Sequence, residues 1–168
     1  MTAHLRFFAT ALASVLCVSP ASAQTDAAAE LVRQALVLGH PVEGLISGRG
    51  PALAVPVPGG SCPSVGVIHP REHFRGGPRI DNYRVCDGQI AALSDVSPAL
   101  PDDPELQQGT ALAIRTALRY GHQSARWQSY QIDTQRLSPM DSTGCASVAT
   151  TISTDGLLVA HQVGRVCA

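Results

Sequence analysis

CASVATTISTDGLLVAHQVGRVC, residues 145–167, closes the chain with a cysteine near each end and Asp155-Gly156 at its centre. An Asp-Gly pair between β-branched and apolar runs is a strong short-range signal for a two-residue hairpin turn. Folding the chain there sets Cys145 beside Cys167 on neighbouring strands. A second stretch repeats the design: in CPSVGVIHPREHFRGGPRIDNYRVC, residues 62–86, Gly76-Gly77-Pro78 supplies the turn, and Cys62 and Cys86 lie near the ends of the two arms. Asp87-Gly88 then turns the chain into QIAAL as a third strand. Upstream, Ala28, Leu31, Val32, Ala35 and Leu36 form one apolar helical face, so a helix is expected over Asp26–Leu38, capped by Asp26 and with Glu30 in its first turn. Asp103-Pro104-Glu105 is a helix start, and Leu106, Ala113, Ile114, Ala117 and Leu118 supply the face, with Gly121 as the stop. ALAVPVP, residues 52–58, reads as an edge strand because of its prolines, and RWQSYQIDTQRL, residues 126–137, as one strand with Trp127 near its start.

A helix thus precedes a cysteine-stapled meander twice. Duplication would produce this, but so would chance in an α+β chain, and the chance explanation is preferred. The expected architecture is α+β, with two helices packed on one face of an antiparallel sheet built from two disulfide-stapled hairpins.

The compartment follows from the first residues and from the cysteines. MTAHLR carries Arg6, FFATALASVLCV is an apolar run, Pro20 breaks it, and Ala21-Ser22-Ala23 forms an A-x-A cleavage site: a secretory signal over residues 1–23, leaving 24–168 as a single domain. The apolar run is shorter than the roughly 20 residues that span a bilayer, and the mature chain is expected to have no membrane span. Removing Cys17 from the five cysteines leaves an even set, Cys62, Cys86, Cys145 and Cys167. In an exported chain that implies disulfides, and the two hairpins select Cys62–Cys86 and Cys145–Cys167. A periplasmic or secreted protein is expected.

Composition excludes several functions. All 12 basic residues are arginine, so chemistries that need a lysine amine (P-loop nucleotide binding, Schiff bases, Ser–Lys dyads) are absent. With 12 basic against 13 acidic residues there is no surplus to bind nucleic acid. No G-x-S-x-G occurs, and the disulfides leave no thiolate.

The stretch with most chemistry is IHPREHFRGGPRID, residues 68–81. His69-Pro70-Arg71-Glu72-His73 resembles the H-x-x-E-H motif of inverted zincin peptidases, which requires both histidines on one helical face. His73-x-x-Gly76 followed by Asp81 resembles the H-x-x-G-x-A-x-D motif of D-Ala-D-Ala-type zinc carboxypeptidases, one residue too long and with Pro78 in place of the alanine. Either resemblance implies a small zinc-dependent peptidase acting on cell-wall peptide, with zinc held by His69, His73 and Asp81 and completed by His122 or His161. The preferred reading is a non-enzymatic one. The segment is a long hairpin loop on a stapled base, and it holds Phe74, the only phenylalanine beyond the signal. Phe74 with Arg71, Arg75 and Arg79 makes an apolar anchor ringed by guanidinium forks, suited to carboxylates of a protein or cell-envelope component. The expected function is therefore that of an envelope accessory or inhibitor-like binding protein, without a cofactor.

Overall fold

The structure is a computed structural model that describes residues 20–58, 61–74, 77–93 and 100–168, with backbone alone for 20–26, 73, 74 and 77. The chain runs α1 (Pro20–Leu38), β1 (Val42–Ile46), β2 (Gly50–Val57), β3 (Ser64–Phe74), β4 (Gly77–Cys86), β5 (Gln89–Leu93), α2 (Pro104–Tyr120), β6 (His122–Trp127), β7 (Tyr130–Arg136), β8 (Cys145–Thr154) and β9 (Leu157–Cys167). The strands form two antiparallel meanders, β1-β2-β3-β4-β5 and β6-β7-β8-β9. The expected single sheet with both helices on it is thus corrected: each helix packs on the sheet that follows it. Physically, each helix–meander unit closes its own local core before the next begins. In the first unit, Ala28, Leu31, Val32 and Ala35 of α1 meet Ala52, Ala54, Val65 and Val67. In the second, Leu106 and Ala113 of α2 meet Ile132, and Leu118 meets Ala146 and Val148.

The second helix starts as its sequence dictates: Asp103 Oδ1 accepts from the amides of Glu105 (2.8 Å) and Leu106 (3.1 Å), with Pro104 next to the cap. It ends at Gly121, whose positive φ of 95° lets its amide donate to Ala117 O. The first helix differs from expectation. It begins six residues before Asp26, so Asp26 is not its cap, and Glu30 lies mid-helix, bonded to Arg33 (3.2 Å) and Gln34 (3.1 Å). Residues 1–19 of the expected signal lie outside the described residues, while 20–23 belong to α1. The first described side chains in the core are Ala27 and Ala28.

Both disulfides form as expected, Cys62–Cys86 and Cys145–Cys167. Each links residues a little over twenty apart and contributes about 3 kcal/mol on the chain-entropy argument. Asp87-Gly88 and Asp155-Gly156 both take positive φ, the geometry of a type I′ hairpin turn. Two strand expectations fail. The segment 126–137 is not one strand: β6 and β7 meet at a tight turn on Gln128-Ser129, where Gln128 holds φ 51° without the glycine or asparagine that signals such a bend. Nor is β2 an edge strand. It lies between β1 and β3, but the two ladders are staggered: β1 covers residues 50–54 and β3 covers 53–57. Pro51 and Pro56 each keep one side with no bonded strand, which is what proline needs in a sheet.

One seam joins the units. Away from α1, the first sheet presents Val55, Val57, Ile68 and Ile80, which close on Leu158 of β9. A Cβ at Gly66 would overlap Leu158, so the glycine there is a space requirement. Beside it, buried Asn82 behaves as a short strand: its Nδ2 donates to Leu158 O (3.2 Å) and its Oδ1 accepts from Leu158 N (2.8 Å).

Candidate functional site

Among the described residues no other strand pairs with β3 beyond Ile68 or with β4 before Asn82, so 69–74 and 77–81 form a two-stranded ribbon on the end of the first sheet. The register slips inside it: His69 pairs with Arg79, and the next pair is His73 with Pro78. Pro70, Arg71 and Glu72 are therefore extra residues on one strand, a bulge that bends the ribbon and re-aims its side chains. Part of the bend is visible at Arg71, whose guanidinium reaches back to within 3.9 Å of where a Cβ at Gly50 would sit.

An ionic cluster fixes the ribbon's base. Asp81 Oδ2 accepts from Arg49 Nη1 (2.7 Å) and lies 3.1 Å from His69 Nε2, while Oδ1 accepts from Arg79 Nε (2.8 Å). Arg79 also approaches Glu72 Oε2 at 3.5 Å. Burial alone would raise the Asp81 carboxyl, but the hydrogen bonds from His69 and Arg79 and the charge of Arg79 outweigh it and hold the group well below the usual carboxylate range. The His69 side chain is 2% exposed, and its Nδ1 has no partner among the described residues. With the proton on Nε2, that orphan is a bare acceptor and His69 donates to Asp81.

The residues of the zinc reading can be placed in part. His69 and Asp81 do meet, but by a hydrogen bond, and two guanidiniums already neutralise the carboxylate. The segment 69–73 is strand, so the helical face that an H-x-x-E-H site needs is missing. The side chain of His73 lies outside the described residues. Strand alternation puts His69 with Val67 on the α1 side of the sheet, whereas His161 lines a groove with Ile68 on the other side, so those two cannot share one ion. His122 is exposed at the start of β6, in the second sheet.

Of the expected binding residues, Arg71 is exposed on the bulge and Arg79 is turned into the base cluster. The backbone pairs Phe74 with Gly77 at the ribbon tip; Arg75 and the Phe74 side chain lie outside the described residues. Two features were not anticipated. Arg49, the residue that completes the cluster, sits between Gly48 and Gly50, both at positive φ, and that glycine pair was its only sequence signal. The other is a groove of about 720 Å3 at the ribbon's foot, lined by Leu45, Pro51, Leu53, Ile68, Pro70 and Pro78 and closed by His161. Burial pushes the His161 imidazole down, towards its neutral form, with Nδ1 3.0 Å from Thr151 Oγ1.

Among the described residues no helix is long and apolar enough to cross a membrane. No family model matches the chain, and comparison with curated proteins and with solved structures likewise returns no match.

Proposed function

We propose that this chain is an exported, disulfide-stapled domain of the periplasm or extracellular space that acts by binding a polypeptide partner of the cell envelope, as an accessory or inhibitor-like protein. The observation that carries this reading is the ribbon of 69–74 and 77–81, whose two strands pair with each other past the end of the sheet and are clamped at the base through Asp81. A ribbon whose base is packed through Ile80 and His69 and whose far end extends beyond the sheet is a presentation device: ordering its base in advance removes part of the entropy cost of binding. Arg49, Arg71 and Arg79 stand around Asp81 and Glu72, and the adjoining groove is mostly apolar, with Glu43 and His161 in its wall. The partner that fits is an extended segment with apolar side chains for the groove and carboxylates for the arginines.

The test is capture from an envelope extract with wild-type protein and with Arg71→Ala, Phe74→Ala and, as a distant control, Arg119→Ala. A partner retained by the control and lost by the two ribbon variants supports the reading. Equal capture by all four proteins overturns it. Export is tested separately by intact mass on protein made in its native host, which should begin at Gln24; a retained Met1 would overturn the exported assignment.

A further inference from the structure

The opposite end of the first sheet, far from the ribbon along the same hairpin, carries a second cavity of different character. It lies beside the Cys62–Cys86 disulfide, has a volume of about 560 Å3, and takes its walls from both units: Ser64 and Arg84 from the first, Arg126, Gln131 and Ser153 from the second, with Asp155 among its lining residues. That volume is within the range of small-molecule sites. Its lining mixes polar side chains with Pro58 and the disulfide and is more polar than that of the groove at the ribbon.

Register explains the convergence. Ser64 pairs with Arg84 across β3 and β4, so both project from one face of the first sheet, the face that meets the second unit. Arg126 pairs with Gln131, and Gln131 with Ser153, so these three form a cross-strand row on the face of the second sheet turned away from α2. The seam at Leu158 brings the two rows to one cavity. Ser64 and Ser153 are only 2% and 3% exposed and both line the cavity. Among the described residues neither Arg84 nor Arg126 makes an ion pair, although Asp155 lines the same cavity. Two serine hydroxyls and two guanidiniums around one carboxylate form a donor-rich site with net positive charge.

We infer that this inter-unit cavity is a binding site for a small polyhydroxylated oxyanion, an acidic or phosphorylated sugar in chemical terms, with Arg84 and Arg126 on the anionic group and Ser64, Gln131 and Ser153 on the hydroxyls. The assignment is independent of the ribbon.

The experiment is a residue-resolved NMR titration of the full domain, following the arginine Nε–Hε signals, with three probes on one ring: glucose, glucuronate and glucose 6-phosphate. Saturable shifts at Arg84 and Arg126 with either anion, and none with glucose, support the site; which anion saturates first identifies carboxylate or phosphate as the group recognised. Arg84→Gln and Arg126→Gln, both at exposed positions, should each weaken the response about tenfold, the value of one charge-assisted hydrogen bond. The inference is overturned if no probe saturates, if glucose matches the anions, or if both variants bind as wild type does.

Discussion

The two sheets treat their second faces in opposite ways. Away from α1, the first sheet shows Val55, Val57, Ile68 and Ile80 to Leu158, so β2 and β3 are apolar on both sides. Away from α2, the second sheet shows polar rows, among them Ser124, Asp133, Thr151 and His161 in direct register across four strands. The first pattern is an apolar face, the second a polar face that meets it through Leu158 and His161. The lesson is that repeated units need not repeat their surfaces. One unit turns an apolar second face to the seam, and the other meets it with Leu158 set in a largely polar face.

The seam is the place to break that contrast, and it should give the largest effect. Leu158→Ala empties the one side chain that plugs the first sheet, and should cost about 2–5 kcal/mol of folding stability by denaturant melt. If the loss is below 1 kcal/mol, roughly the worth of one buried CH₂, the first sheet's second face does not depend on β9. Opening the staples comes next. Cys145→Ala with Cys167→Ala should cost about 3 kcal/mol, and the matched pair at Cys62 and Cys86 a similar amount, since the loops are of nearly equal length. A much larger loss at Cys62–Cys86 would show that this bond also supports the inter-unit cavity.

Acid sharpens the comparison further. The folded-state pKa of Asp81 is depressed, so its contribution is present above the unfolded carboxylate value near 3.8 and is lost as pH falls below it, where the unfolded chain binds the extra proton. Asp81→Asn should lower stability at neutral pH and flatten the acid limb of the pH–stability curve. Asp141 is depressed as well, by hydrogen bonds from Thr143 and Cys145 and by Arg165, but it lies at the surface, so Asp141→Asn should flatten that limb less. An equal effect would mean that the acid response is not centred on the ribbon. The smallest effect belongs to the second unit: Gln128→Gly should stabilise by about 1 kcal/mol or less, because glycine takes φ 51° without the side-chain clash. A melt unchanged or lowered by this variant would indicate that the Gln128 side chain makes up for its backbone.

The sequence was most legible where local chemistry acts alone. Asp-Gly turns, the Asp103-Pro104-Glu105 start and the cysteines at hairpin ends yielded α2, β8–β9 and both disulfides from residue types and spacing. It was less legible where the deciding contact is distant. Nothing local in β2 says that its two ladders are staggered around its prolines, and Gln128-Ser129 turns because Trp127 and Tyr130 are drawn together on α2, with ring centroids 6.3 Å apart. The single-sheet expectation failed for the same reason, since pairing between hairpins is a long-range choice. At the ribbon, His69 and Asp81 were visible as chemistry-bearing residues. Their joint role with Arg49 was not, because 32 residues separate Arg49 from the carboxylate it holds.

The Asn82–Leu158 clasp has a consequence in time. It joins positions 76 apart, whereas the hairpin ladders and the helix–sheet cores use contacts close in sequence. Local contacts form first because little chain must be ordered to make them, so each helix–meander unit is expected to assemble separately and the clasp to close last. Asn82→Ala should therefore speed unfolding and leave the folding rate nearly untouched, which makes this amide a latch on the lifetime of the native state.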